Sequence, residues 1–204
     1  MATATIDNAG PAIGLIGPNA ITRIIEALDE VETPQSVRRI FQACRLEAYL
    51  SEPPTEMVDE DEVTRLHQVL HHDLGDARAR AVGRIAGQLT AEYLLRHRIP
   101  RPARIALRYS PAGIASRLLA RAIASNAWTF VGTGTFSARH GRPTIFTIRN
   151  GPICRGQRSA EPCCDFYAAT FERLYSRLVH RHARATEIGC QAMGAPACAF
   201  GIAW

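Results

Sequence analysis

The chain has 204 residues, 47% of them apolar and 21% charged, with 24 basic against 19 acidic residues for a formal net charge of +5. This suits one soluble domain with a full core, and it excludes a spanning helix, because no apolar run approaches the ~20 residues a crossing needs. Every basic residue is arginine, which reads as codon bias; no RNA-binding signature or helix-turn-helix pattern accompanies it, so no nucleic-acid partner is expected.

Residues 1–18, rich in Ala, Gly, Pro and Thr, read as a flexible tail. They have neither the basic start nor the long apolar stretch of a secretory signal. A cytoplasmic protein is therefore expected, with its six cysteines serving as ligands, reactive groups or core residues rather than as a disulfide framework. A single domain is expected over 19–204. Ile21, Ile24, Ile25 and Leu28 recur at helical spacing after Asn19, a candidate N-cap. A second helix follows Thr33-Pro34, with Val37, Ile40, Phe41, Cys44 and Leu46 on its apolar face. The acidic loop "SEPPTEMVDEDE" leads into a helix over about 60–74. Asp76 to about His97 reads as a longer helix with Val82, Ile85, Leu89, Tyr93 and Leu94 on its apolar face, ended by Pro100 and Pro102. Ser110 and Pro111 then open another.

After this point the period changes. "AWTFVGTGTFSARHGRPTIFTIRNG" is rich in Trp, Phe, Thr, Val and Ile, with turn residues 139–143 at its centre, and predicts a β-hairpin. "CCDFYAATFERLYSRLVHRHA" predicts a helix buried through Phe166, Phe171, Leu174, Tyr175 and Leu178, and "ATEIGCQAMGAPACAFGIAW" predicts two closing strands. The fold class is α+β: N-terminal helices packed on a small antiparallel sheet built as hairpin, helix, hairpin.

Cys163 and Cys164 open the last helix, where free N–H groups and the helix dipole favour a thiolate. Cys190 and Cys198 face each other across the terminal hairpin, with Glu187 three residues before the first. One helix thiolate, two hairpin thiolates and Glu187 would make a closed tetrahedral site of the kind zinc prefers. No C-x-x-C pair is present and buried free cysteines are common core residues, so spacing alone leaves metal ligands and core or redox cysteines both open.

The stretch "CDFYAATFERLYSRLVHRHARATEIGCQAMGAPACAFGIAW" resembles the 4-vinyl reductase domain family, with a Cys at a helix start, E-x-x-C, a Gly-containing turn and C-x-F-x-[IV]. The chain length, the helical first half and "AWTFVGTGTF" are similar to the family's bacteriochlorophyll-synthesis branch, the domain core falling at about 127–204. The resemblance implies a fold related to vesicle-tethering subunits and haem nitric-oxide sensors, dimeric, with an apolar ligand chamber. In related phenol-responsive activators a zinc ion is held by Cys, Glu, Cys and Cys. The matching positions, Cys164, Glu187, Cys190 and Cys198, are thereby implied to hold a structural Zn²⁺. Cys154 and Cys163 are left over, with Cys163 as an alternative ligand.

Other features carry less. "VGTGTFS" does not open a helix, so it is no dinucleotide loop, and the cysteines lack iron–sulfur spacings. His67, His71 and His72 share one helix, as metal ligands or, on the plainer reading, a solvated face. The family name implies reduction of the vinyl group of a chlorophyll precursor, which needs a nicotinamide, a flavin or an iron–sulfur cluster; the chain has the signature of none. The favoured expectation is a bacteriochlorophyll-biosynthesis protein that binds a tetrapyrrole precursor and presents it to pathway enzymes. Such a ligand needs apolar walls and a cation: Trp128, Phe130, Phe136 and Phe146 are candidate walls or core, and Arg139, Arg142 or Arg149 candidate carboxylate partners. The alternatives are the 4-vinyl reductase itself, or an essential subunit of it, and a small-molecule-sensing regulatory module. Expected partners are the tetrapyrrole, Mg-chelatase or other pathway enzymes, and a second copy docked through the N-terminal helices, at or near the photosynthetic membrane.

Overall fold

The computed structural model of the protein describes residues 6–9 and 14–204, and its architecture is α+β. Helices α1 (Asn19–Val31), α2 (Pro34–Ala43), α3 (Ala48–Ser51), α4 (Glu60–Leu74) and α5 (Asp76–Tyr93) come first, and α5 continues as a π turn, Leu94–Arg98. Then follow α6 (Arg101–Tyr109), α7 (Ala112–Ser125), α8 (Trp128–Val131), strands β4 (Thr135–Arg139) and β5 (Thr144–Arg149), helix α9 (Asp165–Leu178), and strands β6 (Arg184–Gly189) and β7 (Cys198–Ala203). Within the stretch expected to be a tail, β1 (Ile6–Ala9) pairs with β4, and β2 (Leu15–Ile16) pairs with β3 (Val58–Asp59); the rest of 1–13 lies outside the described residues. No helix among the described residues is long and apolar enough to cross a membrane.

Local chemistry accounts for most boundaries. Thr33 caps α2 through its Oγ1, which accepts from the Ser36 N–H at 3.2 Å, with Pro34 in the first turn. Asn19 is not the cap of α1: Pro18 is, and its carbonyl accepts from Ile21 and Thr22. Pro100 and Pro102 do not end helical structure before Ser110 as expected. Pro102 lies in the first turn of α6, where a missing N–H breaks no bond. Trp128 and Phe130 also depart from expectation, lying in α8 rather than in a strand. Gly132, at φ +57°, turns the chain after α8, and pairing starts only at Thr135, opposite Arg149.

The five-stranded sheet runs β1-β4-β5-β7-β6, all antiparallel. The last strand therefore inserts between β5 and β6, and Cys198 at its start lies opposite Ile148 near the end of β5. The inner face is aromatic. Phe136, Phe146 and Phe200 are fully buried against Phe171 of α9, with ring centroids 4.9 Å (Phe146) and 5.5 Å (Phe200) from that of Phe171 in edge-to-face contact.

Helix α9 is sandwiched between this sheet and α5. The sequence pattern places the bulky Ile85, Leu89, Tyr93 and Leu94 of α5 inside; they are only half-buried, and the buried face is Ala79, Val82, Gly83, Ala86, Gly87, Thr90 and Ala91. Close approach of two helices selects small residues. A Cβ on Gly87 would stand 2.3 Å from the Phe166 carbonyl oxygen, and Thr170 Oγ1 donates to the Gly87 carbonyl at 3.1 Å. The N-terminal helices spend their apolar faces within the chain: Ile21, Ile24, Leu28, Ile40 and Phe41 are all at 0% exposure. The large exposed apolar side chains include Ile105, Tyr109, Ile114 and Leu118 of α6 and α7.

Candidate metal centre

The loop after β5, the start of α9 and the β6–β7 hairpin converge on one buried cluster of sulfur. One Sγ each from Cys154, Cys164, Cys190 and Cys198 lies within 4.8 Å of all the others, and every one of these residues is buried. The topology explains the meeting. Cys198 starts β7 beside the end of β5, Cys190 ends β6 across the hairpin, Cys164 is the N-cap residue of α9, and Cys154 lies in the loop leaving β5. The short 3₁₀ turn Gln191–Met193 is held to the Cys154 loop by Ser159 N–H to the Ala192 carbonyl at 3.0 Å and Asn150 N–H to Gln191 Oε1 at 2.8 Å.

The geometry fits a tetrahedral thiolate site. Metal–sulfur bonds of about 2.3 Å put tetrahedral sulfurs about 3.8 Å apart; Cys154 and Cys190 are 3.8 Å apart and Cys164 and Cys198 3.4 Å. Cys198 Sγ also accepts the Gln191 backbone N–H at 3.4 Å, the outer bond that steadies a ligating thiolate. Within the bare cluster negative charge settles unevenly. Hydrogen bonds from Cys154 and Cys163 pull the Cys190 thiol down, and the interaction with Cys154 above all pushes Cys163, Cys164 and Cys198 up. A cation would remove that inequality by stabilising every thiolate at once.

The expected ligand set is altered in one member. Cys164, Cys190 and Cys198 come together as expected, but the fourth sulfur is Cys154, one of the two cysteines left over by the sequence pattern. Glu187 stands beside the cluster: its Oε2 accepts the Cys164 N–H at 2.8 Å, while its Oε1 is buried without a partner. Burial pushes its carboxyl up to about 8 against the opposing pull of that N–H. Cys163 Sγ lies 3.8 Å from Cys190, outside the group of four. The signal missed is the proline-bearing loop 151–162, whose return to the hairpin tip depends on long-range pairing that spacing does not reveal.

Two carboxylates anchor the surroundings. Asp165, next to Cys164 and buried, accepts from Arg80 Nε at 2.9 Å and Arg84 Nη2 at 2.6 Å, fixing the start of α9 to α5. Glu60, at the start of α4, accepts from the N–H and hydroxyl of Thr133 and from Arg155, one residue after Cys154. Burial raises its pKa, but the bonds from Arg155 and Thr133 outweigh burial and hold it below the usual range. The G-x-G of "VGTGTFS" makes room for this carboxylate, since a Cβ on Gly132 would meet Glu60 Oε2 at 1.8 Å.

The candidate ligand-pocket residues are not gathered. Phe136 and Phe146 are solid core and Phe130 packs beside them, its ring 5.6 Å from that of Phe136. Trp128 stands apart, 40% exposed. Arg139 and Arg149 are exposed and alternate with the buried Phe136, Ala138, Phe146 and Ile148, so they leave the opposite face of the sheet; Arg142 is exposed in the hairpin turn. Of the three histidines expected on a solvated face, His67 is buried instead, edge-on to Phe166 with Nε2 unpartnered. His71 meets Asp76 at 2.8 Å, and His72 is 88% exposed at its side chain.

The family model of the 4-vinyl reductase domain matches residues 144–203, the segment that carries all four clustered cysteines. Over nearly its whole length the chain is similar to two proteins called bacteriochlorophyll synthase 23 kDa chain. It is 41% identical to that of Cereibacter sphaeroides over 194 residues, 95% of this chain and 93% of the relative. It is 35% identical to that of Rhodobacter capsulatus over 185 residues, 91% of this chain and 85% of the relative.

Proposed function

The chain belongs to the family of bacteriochlorophyll synthase 23 kDa chains, and from that premise we propose that it acts in bacteriochlorophyll biosynthesis by binding a tetrapyrrole precursor and presenting it to the enzymes of the pathway. The observation that carries this reading is the 41% identity spread over 95% of the chain, because likeness that continuous extends to the helical half as well as to the matched domain segment. The relatives are named as chains of a synthase, which supports pathway enzymes as partners.

A binding rather than a reducing role follows from the chemistry the residues offer. Hydride or electron delivery to a vinyl group requires a redox cofactor, and the sequence carries no nicotinamide, flavin or iron–sulfur signature. The cysteine cluster suits a different task. Cys154, Cys164, Cys190 and Cys198 would hold one zinc ion as four protein ligands, leaving no open position at which water or substrate could be activated. Bound there, the ion would supply charge neutralisation and rigidity. The residues themselves tie the loop after β5, the start of α9 and the terminal hairpin together, and Glu187 orients the Cys164 backbone.

The purified full-length chain, titrated with Mg-protoporphyrin or a protochlorophyllide-type pigment, is expected to bind at micromolar or tighter affinity by absorbance and fluorescence. Incubated with NADPH and a divinyl precursor, it is expected to yield no monovinyl product by chromatography. Stoichiometric turnover by the isolated chain would replace the carrier with the reductase. Absence of pigment binding would remove both and leave the sensing module.

A further inference from the structure

Since the aromatic core is filled, a tetrapyrrole has to be held elsewhere, and the chain offers one cleft with the matching chemistry. It lies between the π turn Leu94–Arg98, α6 and the C-terminal end of α9, encloses about 460 Å³, and is lined by Arg96, Arg101, Arg104, Arg108 and Arg177 around a single carboxylate, Glu92. Glu92 is already engaged by Arg173 and Arg177 at 2.6 and 3.4 Å. The side chains of Arg96, Arg101, Arg104 and Arg108 make no ion pair or hydrogen bond among the described residues, and Arg104 Nε is sealed from solvent with no partner. Guanidinium forks in this state are ready to take planar carboxylates through paired hydrogen bonds.

The same wall is apolar as well. Leu95, Ile105, Tyr109 and Leu178 line the cleft; Ile105 is 54% and Tyr109 83% exposed. On α6, positions 101, 104, 105 and 108 follow helical spacing, so cations and apolar side chains share one face. That helix buries none of its residues, which leaves its amphipathic pattern unexplained by the chain's own core. The cleft also sits on a π turn, a departure from α geometry that recurs at functional sites.

We infer that this cleft is the tetrapyrrole site: Arg101, Arg104 and Arg108 take the carboxylate edge of the macrocycle, while Ile105, Tyr109 and Leu178 lie against its ring. The inference rests on the carrier reading above and gives it a place. A volume at the low end of ligand sites in an open cleft grips one edge and leaves the rest of the ring accessible, as transfer to an enzyme demands.

The test compares protoporphyrin IX, which has free carboxylates, with its dimethyl ester, by fluorescence titration at physiological ionic strength. Wild-type full-length protein, Arg104→Gln/Arg108→Gln, Arg108→Gln alone and Arg139→Gln/Arg149→Gln are titrated alongside, with circular dichroism as the folding check. Charge-assisted hydrogen bonds of this kind are each worth about tenfold or more in affinity. The ester and the Arg104/Arg108 double variant are therefore expected to lose at least about tenfold, and Arg108→Gln a smaller share, because no internal contact depends on these side chains. The Arg139/Arg149 variant is expected to match wild type. Wild-type binding that ignores both esterification and the Arg104/Arg108 replacements overturns this placement and leaves the carrier reading intact. No porphyrin binding by wild type overturns both. Equal response to soaps or anionic phospholipid vesicles that displace the porphyrin would assign the cleft to lipid and overturn the tetrapyrrole assignment.

Discussion

Replacing Gly87 by alanine tests the packing that positions the metal-bearing end of α9. The new Cβ would stand 2.3 Å from the Phe166 carbonyl oxygen and 3.0 Å from Ala169 Cβ. Both obstacles belong to α9 close to its main chain, so no flexible side chain can yield, and the helices must separate by about 1 Å to restore ordinary contact. Overpacking of this kind costs about 1–3 kcal/mol. Weakening the bond from Thr170 Oγ1 to the Gly87 carbonyl adds about 1 kcal/mol, and alanine's better helix propensity returns about 1 kcal/mol. The net loss is about 1–3 kcal/mol, which lowers Tm by about 3–10 °C in a chain of this size. Gly83, one turn earlier, is the internal control. There a Cβ would find the Phe166 nitrogen at 3.5 Å and Asp165 Cβ at 3.8 Å, ordinary contacts, so Gly83→Ala is expected to be neutral or to stabilise by up to about 1 kcal/mol. Thermal and urea unfolding followed by circular dichroism measures both. Equal behaviour of the two variants, or loss at Gly83 with none at Gly87, would refute the close α5–α9 approach as the reason for these glycines.

Metal analysis of protein purified without chelators is expected to find about one zinc per chain, held by a thiolate set. Cys154→Ser is expected to lose it while Glu187→Gln retains it; the opposite pattern would restore glutamate as the fourth ligand. His67 gives a pH signature. Burial, with a smaller push from His71, pulls its pKa down to about 3, so it stays neutral in the fold while the unfolded chain gains a proton below about 6.5. The stability that neutral His67 permits is whole above that pH and drains away as pH falls toward 3, amounting to about 2 kcal/mol by pH 5. Urea unfolding of His67→Phe should show a shallower acid slope than wild type, and an identical slope would rule His67 out as its source.

The class of fold and most elements were legible because they rest on local rules. The Thr33-Pro34 cap, the Gly and Pro turns between β4 and β5, and the periodicity of α9 each act within a few residues. What was not legible depends on distant partners. The packing face of α5 is set by how near α9 comes, and near approach selects Gly83, Ala86 and Gly87 over the bulkier Ile85 and Leu89. Helix α6 was hidden because its two prolines read as a stop, though one of them lies in the first turn. In the metal cluster three of four sulfurs followed from the hairpin and the helix start. Cys154 needed the insertion of β7 between β5 and β6, which no short-range signal reports.

The placement of aromatic and basic residues bears on how such a protein could carry a ligand at all. The aromatic side chains that suggested a chamber are used to pack α9 on the sheet: Phe136, Phe146, Phe171 and Phe200 form a continuous edge-to-face cluster. Opening it for a macrocycle would expose several fully buried rings, each worth roughly 3 kcal/mol or more on removal from the core. The arginines on the outer sheet face, Arg139 and Arg149, cannot reach into that core without crossing the sheet. A binder with these constraints has to hold its ligand on its surface, where the requirements are unpaired cations and a rigid apolar wall. Both are met at α6. The end of α9 that forms one wall is fixed to the sheet by the aromatic cluster, and its beginning by Cys164 and Asp165, so a metal that locks the first turn would steady the whole helix against which the ligand rests.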